Sequence, residues 1–266
     1  MKETVRSAFD AAAPSFEEHR DLPAGVPEAI RLAVWTAVGA PARGRVLDLG
    51  AGTGRVGRAF VAAGDRYVGV DSSLGMLQAF AEQQRRSGVA SVALAQAIGD
   101  ALPFGDAMFD AVLLMQAVSE GGGWRRLLAD APRVLKTDGR LVVGRTIKPE
   151  DGVDGQLKNR FKVVLAQMGV DMDGPRPHRT DAMSWIEARA ASRTRVEATT
   201  WTSSRTPRRF LDRHQTGHRF SQLPAATREA ATGEVSDWAV ATFGSLDAVS
   251  AETYRFELQV FTFSKG

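Results

Sequence analysis

The chain contains no cysteine. That removes disulfides, cysteine-ligated zinc and every cysteine nucleophile, including the covalent route to a pyrimidine carbon. No apolar run reaches the length of about 18 residues that a membrane-spanning helix needs, so none is expected. The first residues, Met1-Lys2-Glu3-Thr4, lack the apolar core of a signal segment, and the expectation is a cytoplasmic protein. An excess of charge of one sign is lacking too. Thirty-four Lys and Arg stand against 31 Asp and Glu, and a net charge of +3 is too small to argue for nucleic acid. There is no solenoid-type repeat. No triad of metal-ligating residues stands out, so no metal is expected.

What is present suits one globular domain, 1–266, with room for a lid: 266 residues, 44% hydrophobic and 24% charged. Phe9-Asp10 and Phe16-Glu17 suggest a short helix broken at Pro14. Pro27 opens a helix with Ile30, Val34 and Val38 on one face. Val46 to Leu49, Tyr67 to Asp71, Ser91 to Ala95, Phe109 to Met115 and Arg140 to Arg145 read as strands, with Lys136 to Gly139 a turn before the fifth. Ser72 or Ser73 is positioned to cap a helix that turns Leu74, Leu77 and Phe80 inward. Trp124 to Leu135 completes the alternation as a helix. Strand–helix alternation at this spacing implies right-handed crossovers and a parallel sheet covered on both faces. After Pro149 the pattern changes. Val196 to Thr202 and Tyr254 to Phe263 read as two neighbouring strands, with helical insertions between 150 and 245 forming a substrate cap.

The organising stretch is Val46-Leu47-Asp48-Leu49-Gly50-Ala51-Gly52-Thr53-Gly54, a buried strand running into a glycine turn. Glycine lets the backbone turn tightly and lets a ligand approach it. Ligands of such sheets lie beyond the strand carboxyl ends, and Asp48, Asp71, Asp100 and Gln116 all fall there. Gly52-x-Gly54-x-x-Gly57 followed by Asp71 also satisfies a dinucleotide fingerprint, so an NAD(P)-dependent dehydrogenase is an alternative.

The fuller pattern is Asp48-x-Gly50-x-Gly52-x-Gly54, joined by Gly69-Val70-Asp71, Gly99-Asp100-Ala101-Leu102-Pro103-Phe104, Phe109-Asp110 and Arg133-Val134-Leu135-Lys136-x-x-Gly139-Arg140-Leu141. In these motifs the chain resembles the class I S-adenosylmethionine-dependent methyltransferases, most nearly the type 11, ubiquinone/menaquinone-methyltransferase-like bacterial group. The resemblance covers 44–146 well and the flanks loosely. It implies a Rossmann-like, doubly wound, mostly parallel seven-stranded sheet with an antiparallel terminal strand and a helical lid. It also implies S-adenosyl-L-methionine as cofactor. On that resemblance, Gly50, Ala51 and Gly52 would admit the methionyl part, and Asp48 would hold the turn or accept from its amino group. Asp71 would take the ribose hydroxyls, with Ser72 and Met76 packed around ribose and adenine. Asp100, with Ala101 beside it, would accept from the adenine amine, and the Leu102 N–H would donate to the ring. Gln116 and Ala117 would floor the methionyl arm, and Phe16 with Arg20 would close over it.

The acceptor is less legible. Met115-Gln116-Ala117-Val118 stands where amino-methylating nucleic-acid enzymes carry an Asn/Asp-Pro-Pro-aromatic signature, which favours a small molecule and transfer to an O, N or C nucleophile. Arg193, Arg195, Arg205, Arg208, Arg209, Arg213 and Arg219 against Glu197 and Asp212 form a basic segment. It suggests an anionic substrate or, as an alternative, an RNA substrate, although only Trp201, Phe210 and Phe220 are near for stacking. A cofactor-binding protein without turnover is the third alternative. No catalytic residue is assigned; His19, His178, His214 and His218 are the candidates for a general base near neutral pH.

Overall fold

A computed structural model describes residues 22–40, 43–89, 91–96, 102–115, 124–171, 177–215 and 218–264. The described elements, in chain order, are α1 (Val26–Val38), β1 (Arg45–Leu49), α2 (Gly57–Ala62), β2 (Arg66–Asp71), α3 (Leu74–Arg86), β3 (Ala93–Gln96), β4 (Phe109–Met115), α4 (Trp124–Val134) and β5 (Leu135–Ile147). They continue as α5 (Val153–Gln167), α6 (Pro177–Glu187), β6 (Ser192–Arg205), α7 (Pro207–Gln215), α8 (His218–Ser221), α9 (Ala225–Phe243) and β7 (Ser250–Thr262). The seven strands form one sheet in the order β3-β2-β1-β4-β5-β7-β6. It is mostly parallel with one antiparallel end. The Ala191 N–H donates to the Thr262 carbonyl at 2.8 Å, so the start of β6 meets the end of β7.

By compactness the chain divides into two units. The first comprises 1–146, 177–199 and 256–266, and the second comprises 147–176 and 200–255. In the first, one sheet face is apolar and aliphatic. Leu47, Leu49, Val112, Leu114, Leu141 and Val143 pack with Leu128, Ala131 and Val134 of α4 and Ala182 and Ile186 of α6. α6 therefore belongs to this core, although the sequence pattern places it among the cap insertions. The opposite face is aromatic. Trp35, Phe60, Tyr67 and Phe80 form a series with ring centroids 6.0, 6.4 and 5.9 Å apart. The Arg31 guanidinium (2.5 and 2.9 Å) and the Trp35 indole N–H (3.1 Å) satisfy the buried Asp65 carboxylate and tie α1 to the loop before β2.

Two local expectations change. Leu74 stands at the first turn of α3 and is 43% exposed. The buried stripe of that helix is Met76, Leu77, Phe80 and Gln84, while the Ser73 hydroxyl caps it by accepting the Met76 N–H. The turn expected at Lys136–Gly139 lies within β5. Phe109 pairs with Leu135 and Ala111 with Arg140, so the single residue Asp110 on β4 lies opposite Lys136–Gly139 on β5 as a bulge. Lys136 also reaches the Asp110 carboxylate at 2.6 Å, which accounts structurally for the Phe109-Asp110 and Lys136 motif residues.

The second unit has its own core, in which Leu157, Phe161 and Val164 of α5 meet Phe210 and Leu211 of α7 and Val235 and Ala239 of α9. His214 is inside it, 4.2 Å from the Phe161 ring, 4.7 Å from Phe220 and 5.4 Å from Phe210. Its Nε2 is buried without a partner among the described residues. Burial, and then the charges of Arg213 and Lys158, push its pKa down to about 4, so at neutral pH it is an uncharged packing group. A histidine whose folded pKa is depressed binds fewer protons folded than unfolded. It therefore destabilises the fold as pH falls through the unfolded value of about 6.5. The stability difference between wild type and His214→Phe should fall by about 2–3 kcal/mol from pH 7 to pH 4, measured by urea unfolding. Other titrations are shared and cancel. A pH-independent difference would remove His214 from that core.

Candidate functional site

Strand order reverses between β1 and β4, and such switch points are where doubly wound sheets bind ligands. The glycine turn leaves β1 here. Gly50, Gly52 and Gly54 take φ of 78°, 55° and 82°, values that a side chain resists. Their surroundings differ. A Cβ on Gly54 would run into the Phe80 ring and one on Gly57 into the Tyr67 hydroxyl, whereas a Cβ on Gly52 meets nothing within 4 Å. Two glycines of the apparent dinucleotide fingerprint thus exist to seat the turn on the aromatic layer, and Gly52 faces open space.

The turn's N–H groups are largely spent on the protein itself. Gly50 and Ala51 donate to the Val70 carbonyl at 2.8 and 3.0 Å, Gly54 to the Ala51 carbonyl at 3.0 Å, and Gly52 to the Asp71 carboxylate at 2.8 Å. α2 is only six residues long. A dinucleotide's pyrophosphate is held by N–H groups aimed outward from this turn. Gly50, Ala51, Gly52 and Gly54 do not supply them, which speaks against the dehydrogenase alternative.

Asp48 lies in β1 at 2% exposure. The Tyr67 hydroxyl donates to its Oδ2 at 2.8 Å, while Oδ1 is buried without a partner among the described residues. Burial raises its pKa to about 7; Tyr67's hydrogen bond opposes that rise and the charge of Asp71 adds to it. The buried Thr53 hydroxyl also lacks a partner among the described residues. An unpartnered buried carboxylate oxygen is costly unless something polar meets it. The pair is therefore a preformed acceptor for a donor or cation arriving at the carboxyl end of β1.

Asp71, at the end of β2, accepts from the N–H of Gly52 and of Ser73, each at 2.8 Å. It stitches the glycine turn to the start of α3. A carboxylate has about four acceptor positions, so these bonds are compatible with hydroxyls of a ligand. Ser72 is exposed and its carbonyl accepts from Gln96 at 2.9 Å, while Met76 is buried at 3%.

One expected role is corrected. The Leu102 N–H donates to the Asp130 carboxylate at 2.8 Å and is not directed to a ligand ring. Arg133 fixes that carboxylate at 2.6 and 2.7 Å and also binds the Phe104 and Leu102 carbonyls and Asp106. It clamps loop 102–106 to α4 and holds the Asp130 carboxyl below its ordinary pKa. The expected contacts of Phe16, Arg20, Asp100, Ala101, Gln116 and Ala117 lie outside the described residues. So do His19 and the side chains of His178 and His218.

Three of the seven arginines of the basic segment form ion pairs with described carboxylates. Arg193 pairs with Glu187, Arg208 makes a two-point bond to Asp247 at 2.6 and 2.7 Å, and Arg213 binds Asp154 at 2.8 Å. Phe210 and Phe220 are 6% and 1% exposed, and Trp201 lies edge-on to Tyr254. Stacking of splayed bases needs exposed rings, so Phe210 and Phe220 do not serve the RNA alternative, and Trp201 is half-buried.

Sequence reasoning missed Tyr67 and the Asp130–Arg133 clamp. For the clamp the signal was Arg133 itself, which stands in the motif from Arg133 to Leu141; for Tyr67 it was scarcity, since the chain has two tyrosines, and both prove buried with the hydroxyl on a charged group. Among the described residues no group of three or more potential metal ligands exists, and no helix is long and apolar enough to cross a membrane.

These features define a Rossmann-like α/β protein with a candidate ligand cradle at the carboxyl ends of β1 and β2. Residues 46–139 match the methyltransferase domain family. The demethylmenaquinone methyltransferase of Tropheryma whipplei (strain Twist) is 34% identical over 165 residues, which is 62% of this chain and 68% of that protein. That of Thermobifida fusca is 38% identical over 142 residues, 52% of this chain and 59% of the relative. The chain belongs to the methyltransferase family. It spans 59% and 61% of the length of two such relatives. Among solved structures, YcgJ from Bacillus subtilis shares the fold at TM-score 0.55 and 22% identity, over 89% of this chain and 99% of that one. The [4+2]-cyclase SpnF shares it at TM-score 0.54 and 19% identity, over 97% and 95%.

The close seat of Gly54 yields a test. Gly54→Ala adds a methyl group against Phe80 at a positive φ, and should cost about 2–4 kcal/mol of stability by urea unfolding. Gly52→Ala carries only the φ penalty, about 1–2 kcal/mol. Equal costs would show that the aromatic contact does not constrain the turn.

Proposed function

We propose that the chain is an S-adenosylmethionine-dependent methyltransferase acting on an O, N or C nucleophile of a small molecule. The observation that carries this reading is Asp48 Oδ1, buried and without a partner among the described residues, where the glycine turn leaves β1. A cation or N–H donor such as the amino group of a methionyl ligand satisfies it, and a phosphate does not. The residues present fit such a cofactor. Asp48 would accept from the amino group, the turn Gly50, Ala51 and Gly52, open at Gly52, would line the methionyl chain, and Asp71 would receive the ribose hydroxyls. Met76 would offer apolar contact beside them. When bound, the cofactor supplies an electrophilic methyl group on a sulfonium with a good leaving group. The chain's contribution is then alignment and exclusion of water. The demethylmenaquinone methyltransferases among the relatives support a small-molecule acceptor.

Calorimetric titration with S-adenosylhomocysteine and with NADH tests the reading. The homocysteine analogue should bind and NADH should not; binding of NADH alone would overturn it. Asp71→Ala should weaken the analogue by about 1–3 kcal/mol, the cost of unpairing buried polar groups, with a thermal melt showing that the variant is folded. Unchanged affinity would take Asp71 out of the site. The pH dependence has a definite sign. The carboxyl of ligand-free Asp48 titrates near 7, and an arriving ammonium favours its ionised form. Affinity for the analogue should therefore rise as pH increases through 7 and weaken below it. Flat affinity between pH 6 and pH 8 would separate Asp48 from the amino group.

A further inference from the structure

The second unit contains a group of charged residues that its core does not explain. Asp154, 7% exposed in the first turn of α5, accepts from Lys148 Nζ at 2.9 Å and from Arg213 Nη2 at 2.8 Å. Beside them Tyr254, on β7 and 1% exposed, accepts a hydrogen bond from Arg205 Nε at 2.8 Å. The Arg205 guanidinium stands 4.9 Å and the Lys148 ammonium 5.5 Å from the centre of the same Tyr254 ring. Glu252 faces the group as well. Its Oε1 accepts the Val153 N–H at 2.6 Å, and its Oε2 is buried without a partner among the described residues.

Three features of this arrangement are incomplete. Among the described residues no carboxylate forms an ion pair with Arg205, whose polar partner is a neutral phenol. The Tyr254 hydroxyl has accepted its hydrogen bond, yet no acceptor for its own proton is found among the described residues. Three positive groups, Lys148, Arg205 and Arg213, stand with two carboxylates, Asp154 and Glu252, in a partly desolvated place. Burial, with Arg213 and Arg205 adding, outweighs Asp154 and holds the Lys148 pKa below its ordinary value. Burial, with Asp154 and Glu252 adding, pushes Tyr254 up to about 12, so the phenol keeps its proton at neutral pH. Beyond the bonds to Asp154 and to the Tyr254 oxygen, the ammonium, the guanidinium and the phenol retain N–H and O–H donors for which no hydrogen bond among the described residues supplies an acceptor. A planar or tetrahedral oxyanion fills that need, because several charge-assisted bonds to one anion offset its desolvation.

We propose that the second unit binds the carboxylate or phosphate group of a small molecule through Lys148, Arg205 and the Tyr254 hydroxyl. Asp154 holds Lys148 and Arg213 in place as a positioning residue. The inference goes beyond methyl transfer and does not rest on it.

Calorimetric titration of the whole chain with inorganic phosphate and with malonate, at fixed ionic strength in chloride, tests it. At least one probe should bind saturably, and the stronger of the two identifies the kind of anion. Lys148→Gln and Arg205→Gln should each weaken that binding about tenfold, the worth of one charge-assisted hydrogen bond, while Lys148→Arg retains it. Binding of S-adenosylhomocysteine should be unaltered in all three, so failure here is distinguishable from failure of the methyltransferase reading. Lys148 is 43% exposed, and its replacement decides the matter should the Arg205 variant not fold. Absence of saturable binding, or equal binding by wild type and Lys148→Gln, would overturn the proposal.

Discussion

A carboxylate and a phenol buried together under a glycine turn are the constraint on which the first unit depends. Asp48 and Tyr67 lie on the sheet face that also carries Trp35, Phe60 and Phe80, so the site's charged group is embedded in an aromatic layer. The layer sets the height of the turn, because Gly54 and Gly57 have no side chains and sit directly on Phe80 and Tyr67. It also removes water from Asp48, which is why the carboxyl titrates near neutrality. Asp71 then pins the outer edge of the same turn by taking the Gly52 N–H. Packing and electrostatics are therefore one arrangement: rings that support the turn also make its carboxylate need a partner.

The fold by itself would not have named the chemistry. YcgJ and the [4+2]-cyclase SpnF both share the architecture at similar TM-scores. Sheets of this topology carry many reactions, and the argument for any one must come from the site. Here the discriminating detail is where the turn's N–H groups point. They are consumed by Val70, Asp71 and Ala51, which suits a ligand with an amino group and ribose hydroxyls better than one with a pyrophosphate.

Much of the first unit was legible from residue pattern. The apolar runs at Val46–Leu49 and Phe109–Met115, the acid at the end of β2 and the Ser73 cap all follow from period, burial and capping chemistry. The misreadings have physical causes. Leu74 looked inward because a helix face was drawn from apolar identity alone, but it lies in the first turn, beyond the buried stripe. The Leu102 N–H looked available because its acceptor, Asp130, is 28 residues away and is set in place by Arg133. Helix α6 looked like part of a cap because composition changes after Pro149, yet Ala182 and Ile186 belong to the first core.

The sequence by itself determined a doubly wound sheet, a glycine turn after its first strand and acids at the strand ends. Those depend on local periodicity and on backbone angles that only glycine accepts freely. Tertiary structure decided which atoms of those residues remain to be used. It spent the N–H groups of Gly52 and Leu102, left Asp48 Oδ1 without a partner among the described residues, and gathered Lys148, Arg205 and Tyr254 from segments about 50 residues apart. Hydrogen-bond completion is a property of three-dimensional neighbours, and desolvation depends on what packs around a group. Neither is written in the spacing of residues along the chain.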